Sequence, residues 1–127
     1  MEQKLKIMVV DDEWSVRELL RNLLCRHGFE VLLVKDALEF SERVSRESPD
    51  AIILDIMLGD DDGTRVYDKL VHLGILSKDI PVVFLSGLAE GRPVEMPQSG
   101  RRYSLVGKPF DTHKLVAFLK ESLAASG

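Results

Sequence analysis

Residues 48–63 read SPDAIILDIMLGDDDG, and residues 80–85 read IPVVFL. Ala51–Leu54 and Ile80–Leu85 are continuously apolar, rich in Ile and Val, and too short for membrane spans. That is the composition of parallel strands covered on both faces, where alternation with polar residues would put polar groups into a core. The first run stops abruptly at Asp55, and the acidic DDDG at 60–63 marks a turn ahead of another segment.

Outward from these two runs lie three more: Leu5–Val10, Val31–Val34 and a weaker Tyr103–Val106. Amphipathic stretches separate them. Val16, Leu19, Leu20, Leu23 and Leu24 form one helical stripe with Glu18, Arg21 and Asn22 facing away. Ser15 with Glu18 reads as its capping box and Gly28 as its stop. A second helix is predicted over about 37–47, with Ala37, Phe40 and Val44 inward and Pro49 beyond its end. A third follows Gly63 through Val66, Leu70 and Leu73, and a last one follows Asp111 as N-cap, with Leu115, Phe118 and Leu119 on one face. Strand–helix alternation with short connections is the pattern of a parallel α/β sheet. Residues 88–101, LAEGRPVEMPQSGR, break the rhythm where a fourth helix belongs, because they hold Pro93 and Pro97 besides Gly91 and Gly100. Proline inside a helix costs about 3 kcal/mol and glycine up to about 1, so at most a helical turn is expected there.

The 127 residues, 45% hydrophobic and 30% charged, suit one globular domain over 1–127 with a core about 4–123. The single Cys25 excludes a disulfide framework or a multi-cysteine zinc site within the chain. Lys6 and then Asp11-Asp12-Glu13 interrupt the N-terminal apolar run, which makes it a poor signal peptide, so a cytoplasmic protein is expected. The net charge of −4 argues against direct nucleic-acid binding. Residues 1–87 carry 11 Lys/Arg against 17 Asp/Glu, while residues 88–127 carry 6 against 4. The acid excess therefore sits in the first two thirds and clusters at 11–13 and 60–62.

In an open parallel sheet, function gathers at the carboxyl ends of the strands. Those ends hold Asp11, Asp12 and Glu13 after the first strand, Asp55 after the third, Ser86 and Gly87 after the fourth, and Lys108 and Pro109 after the fifth. Two carboxylates 4 Å apart repel by about 4 kcal/mol at an effective dielectric near 20, so positive charge must stand nearby or one group must stay protonated. Carboxylates with backbone carbonyls and water make an oxygen-only site suited to Mg²⁺, and Lys108 supplies a further point charge.

With VVDDEWSVRELL at 9–20, SPDAIILDIMLGDDDG at 48–63, PVVFLSG at 81–87 and KPF at 108–110, the sequence resembles the CheY-like receiver domain of bacterial two-component response regulators over essentially its whole length. The resemblance implies a doubly wound, flavodoxin-like α/β fold of five parallel strands in order 2-1-3-4-5. In this chain the broken 88–101 segment would leave the fourth helix weak or missing. The resemblance also implies a regulator rather than an enzyme, one that assists its own phosphorylation and dephosphorylation. Asp55 would accept the phosphoryl group from a sensor histidine kinase or phosphotransfer protein. Mg²⁺ would be held directly by Asp12 and Asp55, through water by Asp11, and by the Met57 backbone carbonyl. Lys108 would pair with the phosphoryl group across a cis bond to Pro109, Ser86 would bond the phosphoryl oxygen, and Gly87 would leave access to it. A receiver of this length has no room for an effector, so output would pass to a downstream protein or output domain, without membrane attachment. The alternative is a receiver-like adaptor that works without phosphorylation.

Several residues depart from that pattern. The aromatic switch position, three before the lysine, holds Leu105, with Tyr103 on the same strand face. Ser86, Tyr103 and Leu105 are thus the switch candidates. The broken 88–101 segment lies in a region that many receivers use for output. Gly59 stands where a proline is common, and Gly107 precedes the lysine. Met57 and Leu88, each two residues after a site residue, are apolar where some receivers place groups that guide water, which predicts slow self-dephosphorylation.

Other chemistries fit less well. His27, His72 and His113 share no ligand spacing. If Gly63 were the sixth residue of a calcium loop, its first and twelfth would be Leu58 and Lys69, which are wrong for that site. A haloacid-dehalogenase-type phosphohydrolase wants an aspartate where Met57 stands, and a flavin module wants a phosphate loop where three acids stand.

Overall fold

The computed structural model describes residues 4–87, 103–108 and 110–126. In chain order the elements are β1 (Lys6–Val10), α1 (Trp14–Arg26), β2 (Glu30–Val34), α2 (Ala37–Glu47), β3 (Ala51–Asp55), a small hairpin of β4 (Met57–Leu58) and β5 (Asp61–Asp62), α3 (Gly63–His72), β6 (Val82–Ser86), β7 (Tyr103–Gly107) and α4 (Thr112–Ser126). Five strands form one parallel sheet in the order β2-β1-β3-β6-β7. With the hairpin set aside, this is the expected 2-1-3-4-5 order of the doubly wound fold. The expected weak fourth helix and the cis bond at Pro109 lie outside the described residues.

Side chains of successive strand residues point to opposite faces, and each face has its own core. On one face Met8, Val10, Ile52, Leu54, Val82 and Phe84 pack against Phe40 and Val44 of α2 and Tyr67 and Leu70 of α3. On the other, Ile7, Val9, Ile53, Val83 and Leu85 pack against Leu20 and Leu24 of α1 and Leu115 and Leu119 of α4. Every residue of β3 and β6 is buried, which is the physical reason for their unbroken apolar sequences.

Three details differ from the sequence expectation. The helix α1 starts at Trp14 with Glu13 as cap residue and no side-chain cap bond, so Ser15 and Glu18 form no capping box. β1 runs into α1 through a three-residue turn closed by Asp11 Oδ1 accepting the Glu13 amide at 2.9 Å, which leaves Ser15 inside the first turn; Glu18 pairs with Arg21 instead. Leu19 is 50% exposed, outside the stripe made by Leu20 and Leu24 with the partly buried Val16 and Leu23. Leu73 caps the end of α3 in solvent and Phe118 is partly exposed; Tyr67 and Val116 fill the inward positions. The helix over 37–47 and the start of the last helix after Asp111 are as expected. Asp36 caps the first, and Asp111 Oδ1 accepts the His113 and Lys114 amides of the second.

Candidate functional site

The sheet order reverses between β1 and β3, and strand register brings their carboxyl ends level: Val10 lies beside Leu54, and Asp55 beside Leu85. Asp11 and Asp55 therefore emerge at adjacent points, both nearly sealed from solvent at 0% and 3% exposure. Ser86 ends β6, also buried, paired with Gly107 of β7. Its carbonyl accepts the Lys108 amide at 2.7 Å, which turns the lysine back over the sheet edge.

Lys108 Nζ lies 3.0 Å from Asp11 Oδ2, 3.1 Å from Asp55 Oδ2 and 3.7 Å from Glu13 Oε1. Burial alone would lower the lysine pKa, but the Asp11 and Asp55 carboxylates outweigh it and hold the ammonium above its ordinary value. Asp55 moves the other way from a usual carboxylate. Burial first, and the Asp11 charge second, push its pKa up to about 6 against the pull of Lys108 and the Met57 amide. The Met57 amide donates to Asp55 Oδ1 at 3.1 Å.

One oxygen of each of Asp11, Asp12 and Asp55 lies within 4.8 Å of the others. Asp11 Oδ2 is buried, and among the described residues the Lys108 ammonium at 3.0 Å is its counter-charge. Three carboxylates against one lysine leave excess negative charge in a desolvated place, and an all-oxygen donor set suits a hard divalent cation. Asp12 is the exposed member of the three. The residues present therefore fit Mg²⁺.

The structure thus brings together Asp11, Asp12, Asp55 and Lys108, with Ser86 on the neighbouring strand. Gly87 follows Ser86, and a Cβ there would meet nothing within 4 Å among the described residues. Tyr103 and Leu105 share a face of β7, 38% and 40% exposed, with the Tyr103 ring edge-on to Phe84 at 6.2 Å. Phe84 in turn meets Tyr67 edge-on at 5.6 Å.

Sequence reasoning missed three supports. Arg17 reaches back from α1 to donate to the Asp11 carbonyl at 2.7 Å. Gly63 opens α3 directly against Asp55: its amide donates to the Ile56 carbonyl at 2.6 Å, and a Cβ on it would stand 2.2 Å from the Asp55 carbonyl oxygen. The available signal was a glycine at the first position of a helix already capped by Asp62, where helix propensity gives no reason for it. The hairpin β4–β5 was the third, since two-residue strands carry no periodic pattern to read.

The chain belongs to the response regulator receiver domain family, whose model matches residues 7–120. It is 29% identical over 119 residues to the regulatory protein VirG of Agrobacterium fabrum, covering 92% of this chain and 45% of that protein. It is 39% identical over 82 residues to the response regulator MprA of Mycobacterium leprae, covering 65% of this chain and 35% of that one. The receiver domain of NtrX from Brucella abortus superimposes with a TM-score of 0.78 at 29% identity, covering 93% of this chain and 98% of that domain. The chain spans less than half the length of these two curated relatives. It is a receiver domain of the two-component type, a class of regulators that interact with histidine kinases and output domains. Among the described residues, no helix is long and apolar enough to cross a membrane.

Proposed function

We propose that this receiver accepts a phosphoryl group on Asp55 from the phosphohistidine of a sensor kinase or phosphotransfer protein in the cytoplasm, and passes the change to a downstream protein or output domain. The observation that carries the reading is Lys108 Nζ, held 3.0 and 3.1 Å from carboxylate oxygens on two neighbouring strands, at a desolvated cluster with an excess of negative charge.

An Asp55 oxygen attacks phosphorus. The phosphorus–nitrogen bond breaks, its electron pair stays on the imidazole nitrogen, and the product is an acyl phosphate. Asp55 must be ionised to attack, and with a pKa of about 6 most of it is at neutral pH. Its buried position strips water that would blunt the nucleophile, while the Met57 amide and Lys108 hold its two oxygens apart in fixed directions. Asp12, Asp55 and the Met57 carbonyl, with Asp11 through water, would hold Mg²⁺, which would supply charge neutralisation on the phosphoryl oxygens. Lys108 adds a charge that stays on at any physiological pH. Ser86 offers its hydroxyl to a phosphoryl oxygen, with Gly87 leaving room beside it. Displacement at Ser86 passes through the Lys108 amide bond to β7, whose Tyr103 and Leu105 face supplies the exposed switch surface. The adaptor alternative has no feature in its favour among the described residues.

Incubation with acetyl phosphate and Mg²⁺, read by intact mass, tests the reading. One phosphoryl adduct is expected, absent in Asp55→Asn and without Mg²⁺. No adduct, or one that survives Asp55→Asn, would overturn it.

A further inference from the structure

The hairpin between β3 and α3 touches the acidic cluster at two points. The Met57 amide donates to Asp55 Oδ1 at 3.1 Å, and two residues later the Gly59 amide donates to Asp12 Oδ2 at 3.2 Å. Alternate residues of one short ribbon thus grip two of the three carboxylates that fit a cation. The ribbon is itself anchored at both ends. It begins at the acceptor, and at its far end Gly63 bonds the Ile56 carbonyl while Asp62 Oδ1 accepts from the Thr64 amide and hydroxyl.

Asp12 needs such an anchor. Unlike Asp11 and Asp55 it is exposed, and a solvated carboxylate swings among rotamers unless something fixes it. The Gly59 contact comes from 47 residues away in the chain, so it is a tertiary restraint rather than a local turn. Gly59 can make it for two reasons. Its φ of +64° lies in the left-handed region that glycine enters freely, and it has an N–H. A proline at this position would have neither. The carboxylate has lone pairs to spare, so an amide on one oxygen leaves the other free for a cation.

We propose that the Gly59 backbone amide is a positioning group for Asp12, pre-orienting its carboxylate toward Asp11 and Asp55 and thereby raising affinity for the divalent cation. Outer partners that orient ligating carboxylates typically change metal affinity by about 10- to 100-fold, and a single bond at an exposed ligand belongs at about tenfold. The inference rests on the cation-binding reading above, and the test has one arm independent of it.

That arm is amide hydrogen exchange in metal-free protein. The Gly59 amide is expected to exchange at least about tenfold faster in Asp12→Ala than in the wild type, with the amides of β1 and β3 unchanged. Equal rates at Gly59 would overturn the proposal, and this measurement stands whether or not any Gly59 variant folds. The second arm is Mg²⁺ titration by calorimetry. Gly59→Pro is expected to weaken binding about tenfold, and Gly59→Asn, which retains the N–H and tolerates positive φ, to restore most of it. In an Asp12→Ala background Gly59→Pro should have no further effect, which separates orientation of Asp12 from general damage to the hairpin. Wild-type affinity in Gly59→Pro overturns this inference alone. No Mg²⁺ binding by the wild type overturns the cation-binding reading and this inference with it.

Discussion

Replacing Gly63 with alanine should disturb Asp55, the proposed phosphoacceptor, from behind. Gly63 is absent from the residues with positive φ, so the constraint is space. An added Cβ would stand 2.2 Å from the Asp55 carbonyl oxygen and 3.1 Å from both the Asp55 carbonyl carbon and Ile56 Cα. Cβ contacts below 3.0 Å are essentially never found, so the gap must open by at least 0.8 Å, and the obstacle is main chain that cannot rotate aside. If α3 retreats, the 2.6 Å bond from Gly63 to the Ile56 carbonyl breaks and strands a buried acceptor, at about 1–3 kcal/mol. If β3 yields instead, Asp55 leaves its contacts with Lys108 and Met57. Overpacking of this kind costs about 1–3 kcal/mol, and the better helix propensity of alanine returns at most about 1. A net loss of about 2 kcal/mol follows, which at a urea slope of about 2 kcal/mol/M lowers the unfolding midpoint by about 1 M. Because a 1 Å misplacement of reacting groups can cost about 100-fold in rate, phosphorylation by acetyl phosphate should slow well beyond any effect of the unfolded fraction. A variant with an unchanged midpoint and an unchanged rate would refute the reasoning, since the clash would then have been absorbed elsewhere.

Three further predictions concern charge and lifetime. Asp55 has a folded pKa of about 6 against an ordinary 3.8, so its contribution to stability is fully present below pH 3.8 and lost as pH rises through 6. Metal-free wild type should therefore lose about 1–2 kcal/mol relative to Asp55→Asn between pH 4 and pH 7, the full shift being reduced by solvent screening; a flat difference between their urea profiles would contradict this. Lys108→Met leaves Asp11 and Asp55 facing each other without their counter-ion, and metal-free stability at pH 7.5 should fall by about 3 kcal/mol, less in saturating Mg²⁺; equal losses with and without the ion would count against a shared charge site. Met57, 60% exposed two residues after the acceptor, offers no polar group to guide water, so the phosphorylated protein should decay slowly in Mg²⁺ buffer, and Met57→Asn should shorten its half-life. A fast wild-type decay measured by loss of the mass adduct would exclude that role.

Much was determined by the sequence alone. Ala51–Leu54 and Ile80–Leu85 are unbroken because both faces of their strands are covered, and that property is visible residue by residue. The helix over 37–47 was legible for the same reason: periodic burial and an aspartate cap are local signals. Asp11, Asp12, Asp55, Ser86 and Lys108 were legible as a set because strands of a parallel sheet all end on one edge. Local rules failed where a contact from elsewhere in the chain took precedence. Ser15 and Glu18 fit a capping box, yet Asp11 closes the turn before them; Leu19 and Leu73 fit their stripes, yet the sheet reaches neither.

Only the tertiary structure decided how the edge works as a site. That Lys108 divides itself between Asp11 and Asp55, that Asp55 is driven toward neutrality by burial, and that the Gly59 and Gly63 backbones press on the carboxylate loops all depend on distances across the fold. Composition and period report which side chains a local segment buries. They carry no information on which main-chain amide or carbonyl meets a carboxylate from 47 residues away, because every residue but proline has the same amide to offer.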